Sequence, residues 1–164
     1  MHYLIDGYNL LFRILKKCGS LEKERQLLIR ELNDAVSHLK LNVTLVFDGS
    51  QEFPFSVSRG HFESLEIVYT PKHQSADDYI LEEVNSARAP QHLIIVTNDR
   101  ELKGKCHQMR AKIMTIDQFL SSLVQKRQKK KRREIDQEAA FRESQPELSR
   151  LLIIFEKKLL EDLL

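Results

Sequence analysis

Cysteine is scarce in this chain of 164 residues, and long apolar runs are missing from it. Cys18 and Cys106 are its two cysteines, and they lie far apart, without the close spacing of zinc ligands. We therefore expect ordinary thiols in a reducing compartment and no zinc site. No apolar run reaches the roughly 18 residues that a membrane span requires. The chain starts with a strand-like segment and not with a basic and then apolar leader, which favours a cytoplasmic protein that does not contact membranes.

Charge is unevenly distributed along the chain. Residues 1–125 carry 15 basic and 16 acidic side chains, whereas residues 126–133, the basic block, carry seven basic side chains and no acidic one. Residues 134–164 carry four basic and eight acidic side chains. A near-neutral body is therefore followed by a basic block and an acidic tail. Such asymmetry suggests contact with a polyanion.

Short apolar runs alternate with amphipathic stretches, which predicts an α/β fold with a parallel sheet covered by helices on both faces. The runs that predict strands are Tyr3–Ile5, Val43–Phe47, Glu66–Thr70, His92–Val96 and Lys112–Thr115. The stretches that predict helices are Leu10–Lys17, a segment from the N-cap Ser20 to about Leu39, a segment from Ser75 to about Ala87, and Asp99–His107. Residues 50–64 are polar and aromatic, with Pro54 and Gly60, and are predicted to form a loop.

From Asp117 onwards the pattern becomes helical. The basic block is predicted to lie in an exposed helical stretch that continues to about Arg142, and Ser144-Gln145-Pro146 predicts a break. A last amphipathic helix carries Leu148, Leu151, Leu152, Phe155, Leu159 and Leu163 on its apolar face. We therefore divide the chain into a domain at 1–125 and a helical extension at 126–164.

Carboxylates follow the predicted strands. Asp6, Asp48 and Asp99 each come directly or shortly after an apolar run, and Asp77 and Asp78 lie at a helix start. Because the carboxyl ends of parallel strands meet at one edge of a sheet, four or five carboxylates could converge there. Two carboxylates about 5 Å apart repel by roughly 3 kcal/mol at an effective dielectric near 20, so such a cluster needs a bound cation or retained protons. Oxygen ligands without His or Cys favour Mg²⁺ or Mn²⁺.

Several residues of these segments also have a purely structural interpretation. Asp78 matches the last position of a capping box that begins at Ser75, Asp77 could serve only the helix dipole, and Asp48 could belong only to a turn with Gly49. Thr97 and Asn98 could orient Asp99 or a water, or either could cap the following helix, with Glu101 completing an N-x-x-E pattern.

Four motifs together resemble the NYN domains, which belong to the PIN-like nucleases, and in particular the YacP-like branch. They are Ile5-Asp6-Gly7-Tyr8-Asn9, Val46-Phe47-Asp48-Gly49, Ser75-Ala76-Asp77 and Val96-Thr97-Asn98-Asp99. The resemblance covers residues 1 to about 125 and implies a three-layer α/β/α sandwich with a parallel five-stranded sheet. It implies Asp6, Asp77 and Asp99 as metal carboxylates. Asp48 and Asp78 are further candidates because they lie at the same predicted edge of the sheet. The resemblance also implies Asn9, Asp48, Thr97 and Asn98 as supporting catalytic groups.

The same resemblance implies a Mg²⁺- or Mn²⁺-dependent endoribonuclease that cleaves messenger RNA on the ribosome. A non-catalytic RNA- or ribosome-binding module and a DNA nuclease of the same fold are the alternatives. In the functional interpretation, the basic block is an arm that contacts RNA phosphates; otherwise it is a solvated helical surface or a frayed linker. The side chains predicted to bind RNA are Lys126, Arg127, Lys129, Lys130, Lys131, Arg132 and Arg133.

Overall fold

The computed structural model describes the backbone of residues 1–14, 20–49 and 57–161, and the side chains of these segments as far as residue 138. Helices and strands alternate through this part of the chain. Their order is β1 (His2–Asp6), α1 (Gly7–Ile14), α2 (Leu21–Leu39), β2 (Asn42–Phe47), β3 (Ser58–Phe62), β4 (Leu65–Tyr69), α3 (Ala76–Ser86), a 3₁₀ turn (Pro90–His92), β5 (Leu93–Val96), α4 (Arg100–Gln108), β6 (Lys112–Met114) and α5 (Ile116–Glu161).

The described strands form one six-stranded sheet in the order β3-β4-β2-β1-β5-β6. Five of them are parallel, with β1 between β2 and β5, so that Asp6 is paired with Val46 and Ile5 with Val96. The predicted α/β/α fold is thus confirmed, and the register places the ends of β1, β2 and β5 side by side.

Strand β3 corrects the prediction of a loop over 50–64, as far as the described residues extend. It pairs antiparallel with β4 and makes the sheet six-stranded instead of five-stranded. Its residues are mostly exposed and show no alternation of apolar and polar side chains, because an edge strand is held by its pairing more than by its own burial. Arg59 anchors it through ion pairs with Glu83 at 2.6 Å and Glu66 at 3.4 Å.

The helix starts follow the capping signals in the sequence. The predicted N-cap Ser20 accepts a hydrogen bond from the Lys23 amide, and the Ser75–Asp78 capping box is present at the start of α3. Helix α1 begins earlier than predicted, at Gly7 instead of Leu10, because the Asp6 carboxylate accepts the amide hydrogen of Asn9. The predicted end of this helix at Lys17 lies outside the described residues.

Apolar side chains cover both faces of the sheet. Helices α1, α2 and the first turns of α5 pack against one face in a cluster that includes Ile5, Leu45 and Phe119. Helices α3 and α4 pack against the other face around Leu4, Val46 and Ile80. These buried clusters hold the strand ends in place, because displacing any of the central strands β1, β2 and β5 would expose apolar area on both sides.

Gly7 lies where the end of β1 passes close to the ring of Phe47. A Cβ atom at Gly7 would lie 2.5 Å from that ring, so a side chain there requires the core to shift. The glycine therefore allows α1 to start immediately after Asp6.

Helix α5 runs without interruption from Ile116 to Glu161, so the predicted break at Ser144–Pro146 is wrong. Strong helix formers flank Pro146 on both sides, and their propensity offsets the local cost of a proline, about 3 kcal/mol. The apolar face predicted for the last helix lies outside the described side chains.

The chain divides into two compact units at 1–124 and 125–164. Within the described residues, no helix is both long enough and apolar enough to cross a membrane.

Candidate active site

Asp6 ends the central strand β1 and is the most enclosed of the predicted site carboxylates, with 7% of its surface exposed. Its two oxygens accept hydrogen bonds from Asn9, one from the backbone amide at 3.1 Å and one from the side-chain amide at 2.7 Å. Burial raises the pKa of Asp6 above its usual value, although the bonds from Asn9 act in the opposite direction. Asn9 therefore fixes the direction of a carboxylate that the protein interior disfavours.

The loop after β5 is tied to both neighbouring elements. The buried Thr97 hydroxyl lies 3.5 Å from the side-chain nitrogen of Asn9 and accepts the Asp99 amide at 3.1 Å. Asn98 accepts the amide of Ile116 at 3.2 Å and so caps the start of α5, which sequence reasoning had not foreseen. The cap of α4 is Asp99, whose carboxylate accepts the Leu102 amide at 2.8 Å, and neither Thr97 nor Asn98.

Asp48 and Asp78 have structural bonds of their own. Asp48 follows β2 and accepts the amide of Ala76, the first residue of α3, in a short hydrogen bond. Asp78 bonds to the hydroxyl of Ser75 at 2.7 Å, and this bond is the main reason why its pKa lies below the usual value. Asp78 is thus engaged in its capping box, whereas Asp48 connects the end of β2 to the start of α3.

The pKa of Asp77 responds to the charges of the other carboxylates. Burial is the largest of the causes that together raise this pKa to about 6, and the negative charges of Asp6, Asp99 and Asp48 follow in that order. A carboxyl group with this pKa lies where like charges converge and water is partly excluded. The structure therefore brings Asp6, Asp48 and Asp77 close to one another from three distant segments, and Asp99 from a fourth lies near enough for its charge to raise the pKa of Asp77.

Three of these carboxylates, Asp6, Asp48 and Asp77, border a cavity of about 280 Å³ at the carboxyl edge of the sheet. Its lining residues are Asp6, Tyr8, Asn9, Phe12, Asp48, Ser75, Ala76 and Asp77. Asp99 does not line the cavity, but its negative charge contributes to the raised pKa of Asp77. Phe12 was not predicted as a site residue, and the sequence signal that could have found it is its spacing, one helical turn beyond Tyr8.

The donor set of the cavity suits a hard divalent cation, because it consists of carboxylate and amide oxygens. Over the ranges that the structure describes, however, no three Asp, Glu, His or Cys side chains lie close enough to hold one ion together. Mg²⁺ in proteins keeps several of its waters and commonly binds through only one or two carboxylates plus substrate phosphate. The residues therefore fit such an ion held by Asp6 and Asp77 with water in the remaining positions.

The basic block lies on α5 in the second unit. Its exposed basic residues are Arg127, Lys129, Lys131, Arg132 and Arg133, and Lys130 forms an ion pair with Glu134 at 3.7 Å. The block is therefore helical, as predicted, and mostly open to solvent. Its RNA-binding role stays a prediction.

The six-stranded α/β fold, with acidic residues after its central strands, is the PIN-like fold that the resemblance of the motifs implied. Residues 3–162 match the YacP-like NYN domain, and the chain belongs to this family of nucleases. Two crystal structures of Rae1 (YacP) from Bacillus subtilis have the same fold. One is 21% identical to this chain, and the match covers 99% of this chain and 97% of the Rae1 chain with a TM-score of 0.62. The other, a W164L mutant, is 20% identical, covers 83% of each chain and also has a TM-score of 0.62. No curated protein matches the chain.

Proposed function

We propose that this protein is a metal-dependent endoribonuclease that hydrolyses RNA phosphodiester bonds with Mg²⁺ or Mn²⁺. The observation that carries the proposal is the convergence of Asp6, Asp48 and Asp77 on one cavity, with the charge of Asp99 close enough to raise the pKa of Asp77. Structural carboxylates are usually paired with cations, whereas this group repels itself. Perturbed carboxylates in a cleft are typical of catalytic sites. Family membership supports RNA as the substrate.

In this proposal the residues of the cavity divide the work. Asp6 and Asp77 hold the ion. Asn9 and Thr97 fix the positions of Asp6 and of the loop after β5. Asp48 and Asp99 add negative charge near the ion. A divalent ion bound there would polarise a phosphoryl oxygen and lower the pKa of a water molecule. Without a bound ion the half-buried Asp77 carboxyl has a pKa of about 6, and a divalent ion held by it would lower that pKa, because the ion favours the charged form.

We further propose that the substrate is messenger RNA and that the ribosome presents it. This step rests on the resemblance to the YacP-like branch and on charge. Residues 1–125 carry 15 basic and 16 acidic side chains, so long-range attraction of free RNA to this body is weak. We therefore expect low cleavage of free RNA at physiological salt and higher cleavage when ribosomes are added.

One observation favours a second candidate, a non-catalytic RNA- or ribosome-binding module. In the part of the chain that the structure describes, no three acidic side chains lie close enough together to bind one ion. Such a module would keep RNA binding and lose nothing when the cavity carboxylates are neutralised.

The deciding experiment is a cleavage assay with RNA and DNA oligonucleotides of one sequence, with Mg²⁺, Mn²⁺ or a chelator, and with or without ribosomes. We expect RNA cleavage that needs the metal and is lost in Asp6→Asn. Asp34→Asn, which makes the same charge change on the exposed face of α2, is the matched control and should cleave normally. Binding without cleavage in all metals would favour the second candidate, and cleavage of DNA alone would contradict both.

A further inference from the structure

Arg25 is a partly buried arginine on α2 whose guanidinium group lies among aromatic rings. Its guanidinium carbon is 5.2 Å from the ring centre of Tyr69 and 5.9 Å from the ring centre of the buried Phe47. One of its nitrogens donates a hydrogen bond to the Tyr8 hydroxyl at 3.5 Å. Rings from β4, β2 and α1 therefore fix the position of this positive charge.

In the described part of the chain, no carboxylate pairs with Arg25, whereas Arg13, Arg59 and Lys105 each form an ion pair with an acidic side chain. A guanidinium group carries several N–H donors in a planar fork, and the Tyr8 hydroxyl accepts from one of them. The faces of the rings stabilise the charge but do not accept the in-plane hydrogen bonds of that fork. Arg25 therefore presents ordered donors to a ligand with anionic oxygens, as a phosphate has.

Arg25 lies beside the wall of the carboxylate cavity. Tyr8, which accepts its hydrogen bond, lines this cavity together with Asp6 and Asp77. Arg25 is not among the charges that shift the pKa of Asp6 or of Asp77, so it does not serve to neutralise these side chains. Its position suits a phosphate next to the reacting one and not the reacting phosphate itself.

An RNA strand that enters an acidic cavity brings several negative phosphates with it. In the proposed mechanism the divalent ion offsets the charge at the cleaved bond, whereas the neighbouring phosphates still meet the negative charges of Asp6, Asp48 and Asp77. A fixed guanidinium group at the border of the cavity reduces this repulsion and holds the strand in one position relative to the ion.

We propose that Arg25 binds a phosphate that flanks the phosphodiester bond cleaved at the carboxylate cavity, and that the rings of Phe47 and Tyr69 hold its guanidinium group in place for this contact. The inference rests on the proposed function, since it assumes that RNA is the ligand of this cavity. It adds a contact that positions the strand and does not depend on the base, because phosphates are the same in every nucleotide.

The test removes the charge of one phosphate at a time and compares the loss in the wild type and in variants of Arg25. RNA oligonucleotides of one sequence carry a single methylphosphonate at successive linkages on either side of the mapped cleavage point. Arg25→Gln removes the charge, and Arg25→Lys keeps it without the planar fork. Arg30→Gln is the matched control, because Arg30 is an exposed arginine on the same helix. Cleavage by the full chain is measured as kcat/KM with Mn²⁺.

In the wild type, we expect one flanking methylphosphonate to lower kcat/KM by about 10-fold, the usual contribution of one charge-assisted hydrogen bond. Arg25→Gln should lose a similar factor on unmodified RNA and nothing further at that linkage, and Arg30→Gln should behave like the wild type. If the penalties at all flanking linkages are equal in the wild type and in Arg25→Gln, Arg25 only braces α2 against the sheet. The inference would then be wrong while RNA cleavage stands.

Two arms of this experiment decide the inference even if Arg25→Gln does not fold. The first is the wild type alone, in which the absence of any sensitive flanking linkage would overturn the phosphate contact. The second is Arg25→Lys, which should show a smaller penalty than the wild type at the sensitive linkage, because an ammonium group cannot replace the fork. An unchanged penalty in Arg25→Lys would also contradict the inference.

A binding measurement applies if no metal supports cleavage, in which case the proposed function fails. Fluorescein-labelled RNA is titrated with the full chain at several salt concentrations, and the logarithm of the binding constant is plotted against the logarithm of the salt concentration. The slope should be shallower by about 0.7 in Arg25→Gln than in the wild type, as for the loss of one phosphate contact on a single strand. Equal slopes in the wild type, Arg25→Gln and Arg30→Gln, or no binding at all, would overturn the inference.

Discussion

Changing Asp77 to asparagine should stabilise the protein in metal-free buffer. The substitution keeps the shape of the side chain and removes one negative charge from a half-buried position next to Asp6 and Asp99. The pKa of Asp77 is raised from 3.8 to about 6, and each unit corresponds to about 1.4 kcal/mol, so the ionised form costs at most about 3 kcal/mol. Because the side chain is partly exposed, solvent screening reduces this figure to about 1–2 kcal/mol.

The sign of the pH dependence follows from the raised pKa. Below about pH 4, Asp77 holds a proton in both the folded and the unfolded state, and the wild type and the variant should be equally stable. Between about pH 4 and pH 6, the unfolded state ionises first, so the wild type loses stability as the pH rises. Above about pH 6 the full cost is present, and the advantage of Asp77→Asn should be constant.

Thermal unfolding in a chelating buffer between pH 4 and pH 8 measures this difference. For a chain of this length, about 1–2 kcal/mol should raise the Tm of Asp77→Asn by roughly 2–8 °C at pH 7. Asp78→Asn is a sharp control, because Asp78 stabilises its capping box and its loss should lower stability by about 0.5–1 kcal/mol. Two adjacent aspartates would then respond with opposite signs to the same chemical change.

Mn²⁺ should reverse the order of stability. An ion at 100 times its Kd stabilises a folded protein by about 2.7 kcal/mol, and the wild type should gain this while Asp77→Asn gains much less. If Asp77→Asn is equal to or less stable than the wild type at pH 7 without metal, the carboxylates do not repel one another as described. The electrostatic basis of the site would then be wrong.

The remaining predictions concern the site, its support and the basic block. Asp6→Asn or Asp99→Asn should lower the single-turnover cleavage rate on the order of 10³-fold. The Tm of each variant should stay at the wild-type value or above it, since asparagine also caps helices. A wild-type cleavage rate would show that the residue does not belong to the site. Gly7→Ala should destabilise by about 1–3 kcal/mol because its Cβ meets the ring of Phe47, and an unchanged denaturant midpoint would refute this contact. If the basic block contacts about four phosphates, the logarithm of the RNA or ribosome binding constant should fall with the logarithm of the salt concentration with a slope near −3. Changing residues 129–132 to glutamine should flatten this slope and leave the Mn²⁺ affinity unchanged. An unchanged slope would exclude the docking role of the block.

The sequence predicts the parallel sheet well because each parallel strand is a mainly apolar run that stops near a polar residue. Asp6, Asp48 and Asp99 are recognisable for the same reason, since parallel strands must end at one edge. Their exact roles were not predictable. Whether Asp48 contacts Ala76, or Asn98 contacts Ile116, depends on how loops distant in sequence meet, and no local pattern records that.

The structural features that the sequence does not predict are those that depend on contacts with residues distant in the sequence. Strand β3 is formed by pairing with β4 and by the ion pairs of Arg59, and neither leaves an alternating pattern at 58–62. The uninterrupted α5 shows the opposite case, in which the propensity of the flanking residues outweighs a proline that reads as a stop. Phe12 was missed because an exposed phenylalanine has meaning only once its neighbours in space are known.

The contact between Asn9 and Thr97 joins positions 88 residues apart in the sequence and bridges the ends of β1 and β5. Closing such a long loop has to precede any contact that rewards it, so sheets of this kind assemble late and slowly. A growing chain that has not yet extended through β5 therefore lacks both Asp99 and the partner of Asn9. The surroundings of the cavity are then complete only after β5 has joined the sheet, because the charge of Asp99 and the contact between Thr97 and Asn9 arrive with that strand.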